Sequence, residues 1–169
     1  MRLPLPNVLT LALVSLILGG CAGGGQIQHS QTERQPAPTY SESNSETAEK
    51  LWQVFERYQG TPYQYGGMSG RGFDCSGFIN TAYREGLNRR LPRTTGQMLQ
   101  QGEPVSPENI APGDIVFFRI KGKEQHAGIY MGDNRFIHAS SSVGVTESEL
   151  NGYYWRNRLS SARRFLPNR

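Results

Sequence analysis

The hydrophobic period of this chain changes once, and the change limits the folds open to it. Between residues 46 and 101 apolar side chains recur at helical spacing, and after the turn-forming run Ala111-Pro112-Gly113-Asp114 they alternate as strands do. Ala48, Leu51, Trp52 and Phe55 put an apolar stripe on a helix over 46–59, with Ser43 and Glu46 as a capping box and Gly60 as its stop. The stretch Thr61–Gly67 is rich in Pro and Gly and will not hold a helix. A second helix should begin at Cys75, with Asp74 as N-cap, Phe78, Ile79, Ala82 and Tyr83 facing inward, and Gly86 near its end. A short third helix runs from Thr95 to Gln101 behind a Thr94 cap. Strands follow at 115–119, 126–131 and 135–139, with weaker candidates at 143–146 and 162–166. Helices first and a strand meander after them predict an α+β fold.

Only part of the chain can build that core. Residues 22–45 hold hardly an apolar side chain, too little to offset their chain entropy, and read as a disordered tether with a reach of roughly 27 Å. His29 lies within it and reads as solvated. Residues 1–20 read as a secretory signal, with Arg2 at its start and an apolar region, Val8 to Leu18, well below the ~20 residues that span a bilayer. The segment ends Leu18-Gly19-Gly20-Cys21, which resembles a bacterial lipobox. That resemblance implies lipidation of Cys21, with each buried methylene contributing ~0.8 kcal/mol to membrane anchoring. Ala22, rather than Asp, follows, and by the sorting pattern of the Gram-negative lipoproteins that the segment resembles this favours the outer membrane. The remaining residues, 46–169, suffice for one domain.

The formal charge is +4, with Arg156, Arg158, Arg163, Arg164 and Arg169 concentrated near the C-terminus. Such a face suits an anionic wall polymer or lipid head groups, and is equally a solvated surface. An exported chain is not expected to meet nucleic acid.

With Cys21 assigned to lipid, Cys75 is an unpaired thiol, and His126 and His138 are the histidines of the core region. A helix start offers free N–H groups and the positive end of the dipole, which predicts a depressed thiol pKa. An imidazole can then activate the thiolate and protonate a leaving amine, while the Cys75 N–H donates to an oxyanion. Strand arithmetic tests the histidines. If Gly132-Asp133-Asn134 is a three-residue loop closed by Met131 opposite Arg135, His138 faces Gly128, and His126 shares its face. A two-residue loop puts the rings on opposite faces. Taken singly, a Cys is commonly a small buried hydrophobe and a strand His a polar side chain. A Cys-His-His zinc site would want a fourth ligand that the core region does not offer.

Six strings stand in order: Gly60-Thr-Pro-Tyr-Gln-Tyr-Gly-Gly67, Asp74-Cys-Ser-Gly-Phe78, Leu91-Pro-Arg93, Pro112-Gly-Asp-Ile-Val-Phe-Phe118, His126-Ala-Gly-Ile-Tyr-Met-Gly132 and Arg135-Phe-Ile-His-Ala139. Over about residues 48–166 the chain resembles the NlpC/P60 family of cell-wall cysteine peptidases, in its small Gram-negative lipoprotein form. The resemblance implies a papain-like fold, Cys75 as nucleophile, His126 as general base and His138 as the polar group that orients it. It matches Tyr63 to an oxyanion or substrate-positioning hydroxyl, or else a core aromatic. It matches Asp74 and Ser76 to substrate-binding positions, with the N-cap role equally open for Asp74. Arg93 can pair with a stem-peptide carboxylate or serve structure. The implied substrate is the peptidoglycan stem peptide, cut between D-Glu and meso-diaminopimelate or at a nearby bond through a thioester, with no cofactor or metal. The competing reading is a wall-binding or adaptor lipoprotein that holds peptidoglycan or a partner lipoprotein without turnover. A third keeps the fold and changes the reaction to amidase or acyltransferase chemistry.

Overall fold

The computed structural model describes residues 40–122 and 125–167; the signal segment, Cys21, His29, most of the tether and Arg169 lie outside them. Helix α1 spans Tyr40–Tyr58 and buries Leu51, Val54 and Phe55 on one face. It begins six residues before the start read from its apolar stripe, so Ser43 and Glu46 lie within the helix rather than capping it, and the tether expected over 22–45 is helical from Tyr40. The added residues are mostly polar, and an apolar stripe cannot register a turn built from polar side chains. Gly60, at φ +78°, turns the chain after the helix, and its N–H donates to the Val145 carbonyl at 2.8 Å.

Helix α2, Cys75–Leu87, carries Phe78, Ile79, Ala82 and Tyr83, all fully buried, as the spacing predicts. Asp74 is its N-cap and accepts from the Gly77 N–H, and Asn88 closes it at φ 50°. Helix α3, Thr95–Gln101, opens with a capping box between Thr94 and Gln97. Two pieces had no periodic signal because they are too short to show one. These are the hairpin of β1 (Met68–Ser69) with β2 (Gly72–Phe73), and strand β3 (Glu103–Val105), after which a 3₁₀ turn forms at Pro107–Asn109.

Strands β4 (Ile115–Phe118), β5 (His126–Gly132), β6 (Arg135–Ser140), β7 (Gly144–Glu149) and β8 (Leu159–Arg164) join β3 in an antiparallel sheet of order β3-β8-β4-β5-β6-β7. Alternation gives the sheet two apolar faces. Phe117, Ala127, Ile129, Ile137 and Ala139 pack with α1 and α2 in the main core. Val116, Phe118, Phe136 and Ala162 form a second core, covered by Trp155 and Leu159. The expected α+β fold, helices against an antiparallel sheet, is the one observed.

The β5–β6 connection differs from the three-residue loop that would align the histidines. Gly132 pairs with Arg135 across a two-residue turn, with Asp133 and Asn134 at φ 47° and 62°. Both central residues at positive φ are what a type I′ turn requires. Alone, that turn would put the two rings on opposite faces. A bulge between Tyr130 and Gly132 inserts Met131 and restores the lost step, so Ile129 lies opposite Ile137. Continuing that register, Gly128 stands opposite His138. A methyl group on Gly128 would lie 2.7 Å from the Phe136 ring and 3.1 Å from His138 Cβ.

Two of the C-terminal arginines are structural. Arg164 grips the Asp114 carboxylate at 2.8 and 2.7 Å, and Arg163 donates to the Leu99 carbonyl at 2.7 Å. Because Asp114 is 2 % exposed, removing its partner leaves a buried carboxylate with no counter-charge. Arg164→Leu is expected to cost about 3 kcal/mol in urea unfolding, while Arg156→Leu leaves the midpoint nearly unchanged.

Candidate active site

The start of α2 is built around one carboxylate. Asp74 Oδ1 accepts from the Gly77 N–H at 2.6 Å and from Ser76 Oγ at 3.0 Å. Its Oδ2 accepts from the Gly66 N–H at 3.0 Å and from Arg93 Nη2 at 2.8 Å. Arg93 also donates to Ser76 Oγ at 2.8 Å and to the Gly66 carbonyl at 3.2 Å. Burial pushes the Asp74 carboxyl up, but hydrogen bonds from Arg93, Gly77 and Ser76 outweigh it and hold the group below its ordinary range. Gly77 is required here because a Cβ would collide with the Gly67 carbonyl. The hydrogen bonds of Asp74, Ser76 and Arg93 are thus directed at one another and at the Gly66 backbone. Asp74 thus caps α2, and Arg93 clamps the loop before that helix while also lining the cleft.

Cys75 follows as the first residue of α2 and carries a free thiol. Its pKa is raised, the reverse of the shift expected from a helix start. Burial raises it most and the Asp74 carboxylate adds to this, against lowering by the backbone N–H groups of Ala127, Ser76 and Cys75 itself. The dipole argument held the helix but omitted the sheet packed over it. The Ala127 interaction ties the sulfur to β5, one residue from His126.

His126 and His138 meet as the bulged register requires. His126 Nε2 lies 2.8 Å from His138 Nδ1, with the rings edge-on at 84°. His138 Nε2 lies 3.0 Å from Ser148 Oγ on β7. His138 is 1 % exposed, and burial, with the nearby His126 ring, lowers its pKa to about 3. A neutral His138 carries one ring proton. The network is satisfied when His138 Nε2–H donates to Ser148 and His138 Nδ1 accepts from His126 Nε2–H. That assignment leaves Nδ1 of His126 as the bare, basic nitrogen.

Cys75, His126, His138, Tyr63, Asp74, Ser76 and Arg93 all line one cleft of about 940 Å³. The structure therefore brings together every sequence-derived residue of the core region. It adds Ser148 and Trp155, whose ring stacks on His126 at 5.5 Å and 25° and meets His138 edge-on at 5.1 Å. Ser148 lay beyond the strand read at 143–146; extending that strand opposite β6 would have placed it diagonal to His138. Trp155 sits in an irregular loop and had no periodic signal. Among the described residues no group of three or more His, Cys, Asp and Glu side chains is arranged to hold a metal ion. Chemically, the site offers a thiol and an imidazole in one cleft, with a neutral ring hydrogen-bonded to that imidazole.

A profile described as the NlpC/P60 family matches residues 60–164. The chain is 39 % identical over 123 residues to an Escherichia coli protein named murein DD-endopeptidase MepS/murein LD-carboxypeptidase, covering 73 % of this chain and 65 % of that one. It is 37 % identical over 157 residues to the Escherichia coli protein named probable endopeptidase NlpC, covering 91 % of this chain and 96 % of that one. The chain thus spans just under two thirds of the first relative's length and nearly all of the second's. In three dimensions it is similar to the crystal structure of an NlpC/P60 family protein from Bacillus cereus, with TM-score 0.64 at 32 % identity over 78 % of this chain and 42 % of that one.

Two pH effects follow from the site. Because the folded pKa of His138 is about 3 against 6.5 for a free ring, the unfolded chain binds the proton first. The His138 contribution is complete above pH 6.5 and is lost as pH falls toward 3. Between pH 6.5 and 5, stability of the described domain should fall by up to about 1.4 kcal/mol per pH unit, and His138→Gln should flatten that slope in urea titrations. For the thiol, Asp74→Asn removes a charge that raises its pKa while keeping a capping side chain. The pH midpoint for alkylation of Cys75 by iodoacetamide should move down.

Proposed function

The chain belongs to the NlpC/P60 family, and from that premise we propose that it is a peptidoglycan hydrolase, a cysteine endopeptidase acting on stem peptides. One observation carries the reading: Cys75 and the His126–His138 pair line the same cleft, with a hydrogen-bonded path from His126 through His138 to Ser148. The relatives named murein endopeptidases support the substrate class.

In this mechanism the bare Nδ1 of His126 takes the Cys75 proton as the sulfur attacks the amide carbonyl. The raised thiol pKa suits transfer at the moment of attack, the resulting imidazolium compensating the thiolate. His138, neutral throughout, keeps accepting from Nε2–H and so stabilises the charged form of His126. The Cys75 backbone N–H, at the start of α2, and the Tyr63 hydroxyl are the candidate donors to the oxyanion. The tetrahedral intermediate expels the amine, which takes its proton from His126, leaving a thioester on Cys75. His126 then deprotonates water, which attacks the thioester and releases the acid and the thiol. The bond assigned is D-Glu–meso-diaminopimelate or a neighbouring crosslink bond.

The proposal extends to location. A lipidated Cys21, followed by a polar stretch to the start of α1, would hold the domain against the wall on the periplasmic face of a Gram-negative outer membrane. The sequence at residues 8–22 is what supports this. An adaptor lipoprotein is not needed for turnover on this reading.

Cys75→Ala should reduce release of muropeptides from purified sacculi by at least about 10³-fold, with the circular dichroism spectrum retained. His126→Ala should do the same, and His138→Gln should lower kcat more than it changes KM. Undiminished hydrolysis by Cys75→Ala would remove the assignment. Tight sacculus binding without turnover by the wild-type domain would favour the wall-binding alternative.

A further inference from the structure

The cleft reaches well beyond the three reacting residues. Its volume of about 940 Å³ lies near the top of the ~300–1,000 Å³ that encloses a drug-sized ligand, and the atoms flanking one peptide bond fill a fraction of it. Two exposed tyrosines from separate loops line it. Tyr65, between α1 and β1, is 79 % exposed, and Tyr154, between β7 and β8, is 44 % exposed. Ser140, Ser141 and Ser142, where β6 turns into β7, add a run of hydroxyls. The Tyr154 ring is already fixed. The Arg158 guanidinium lies 4.0 Å from its centroid, the Trp155 ring meets it edge-on at 4.8 Å, and Arg158 donates to the Tyr154 carbonyl. A pre-placed ring loses little freedom when a ligand stacks on it.

Charge decides what kind of ligand fits. Arg93 is the sole Lys or Arg among the described lining residues, and it is bound to Asp74, Ser76 and Gly66. Glu147, also on the cleft, is paired with Arg135 at 3.3 Å through Oε1, a buried oxygen that accepts no hydrogen bond from the protein. A ligand held by its own charges would need opposite charges not already matched within the protein. Flat ring faces and hydroxyls suit a neutral polyol whose rings carry apolar C–H faces.

We propose that Tyr65, Tyr154 and the Ser140–Ser142 run form a subsite for a neutral N-acylated amino-sugar ring, holding the glycan strand whose attached peptide enters beside Cys75. The subsite rests on the reading of this protein as a peptidoglycan hydrolase and names the second half of the same substrate.

The test separates the two. Binding of peptide-free glycan strands and of free stem peptides is measured calorimetrically with the Cys75→Ala protein, which cannot turn over. The bare strands should bind, and Tyr65→Ala and Tyr154→Ala should each weaken them about tenfold, or 1.4 kcal/mol. Tyr153→Ala, at a ring 88 % exposed outside the cleft, should not. With Cys75 intact, the loss of kcat/KM in the two tyrosine variants should be about tenfold greater on peptide-bearing strands than on free peptides. Absence of bare-strand binding, or equal losses on both substrates, overturns the subsite. Glycan binding by a wild-type protein that hydrolyses neither substrate would overturn the hydrolase and leave the subsite standing.

Discussion

The Asp74 carboxylate is the constraint on which the rest of this site depends. One side chain caps α2 through Gly77, holds the preceding loop through the Gly66 N–H, fixes Ser76, and pairs with Arg93. Those bonds define where α2 begins, and so where Cys75 stands. Burial raises the thiol pKa most and this negative charge adds to it, so the group that positions Cys75 also disfavours its thiolate. Arg93 offsets part of that charge. Arrangement and reactivity therefore pull in opposite directions, and the base must settle the matter during attack.

The base comes from the sheet, not from the helix. His126 and His138 share a face only because a one-residue bulge at Met131 compensates a two-residue turn at Asp133-Asn134. Aromatic rings then enclose the pair. Trp155 lies on His126, and Phe136 lies 4.8 Å from His138. Enclosure keeps His138 neutral across the working range. A neutral ring has a single proton to place: where Ser148 accepts it, His138 Nδ1 accepts from His126 Nε2–H, and the tautomer of His126 follows through three side chains. On the proposed mechanism the charge formed during attack is confined to His126, whose neighbour Ala127 offers its backbone N–H to the sulfur.

The rest of the cleft follows another rule. Near Cys75 the side chains of Asp74, Ser76 and Arg93 are matched to one another, and elsewhere the lining includes tyrosine faces and hydroxyls. Such a surface adds contact area without altering the charge balance that sets the thiol and the rings.

What the sequence determined by itself was whatever local chemistry decides. The caps at Asp74 and Thr94 and the inward face of α2 depend on residues within one or two turns, and they stand where the pattern put them. The start of α1 was misplaced because its first turns are built from polar side chains and leave no hydrophobic trace. The strands of the meander could be read from alternation, but not their register, since a bulge adds a residue without changing composition. The pairing of His126 with His138 was thus a condition in the sequence and a fact only in the sheet. Ser148, Trp155 and the upward shift of the Cys75 thiol belong wholly to the tertiary structure. Burial and cross-strand contact are sums over residues far apart in the chain, and no local window contains them.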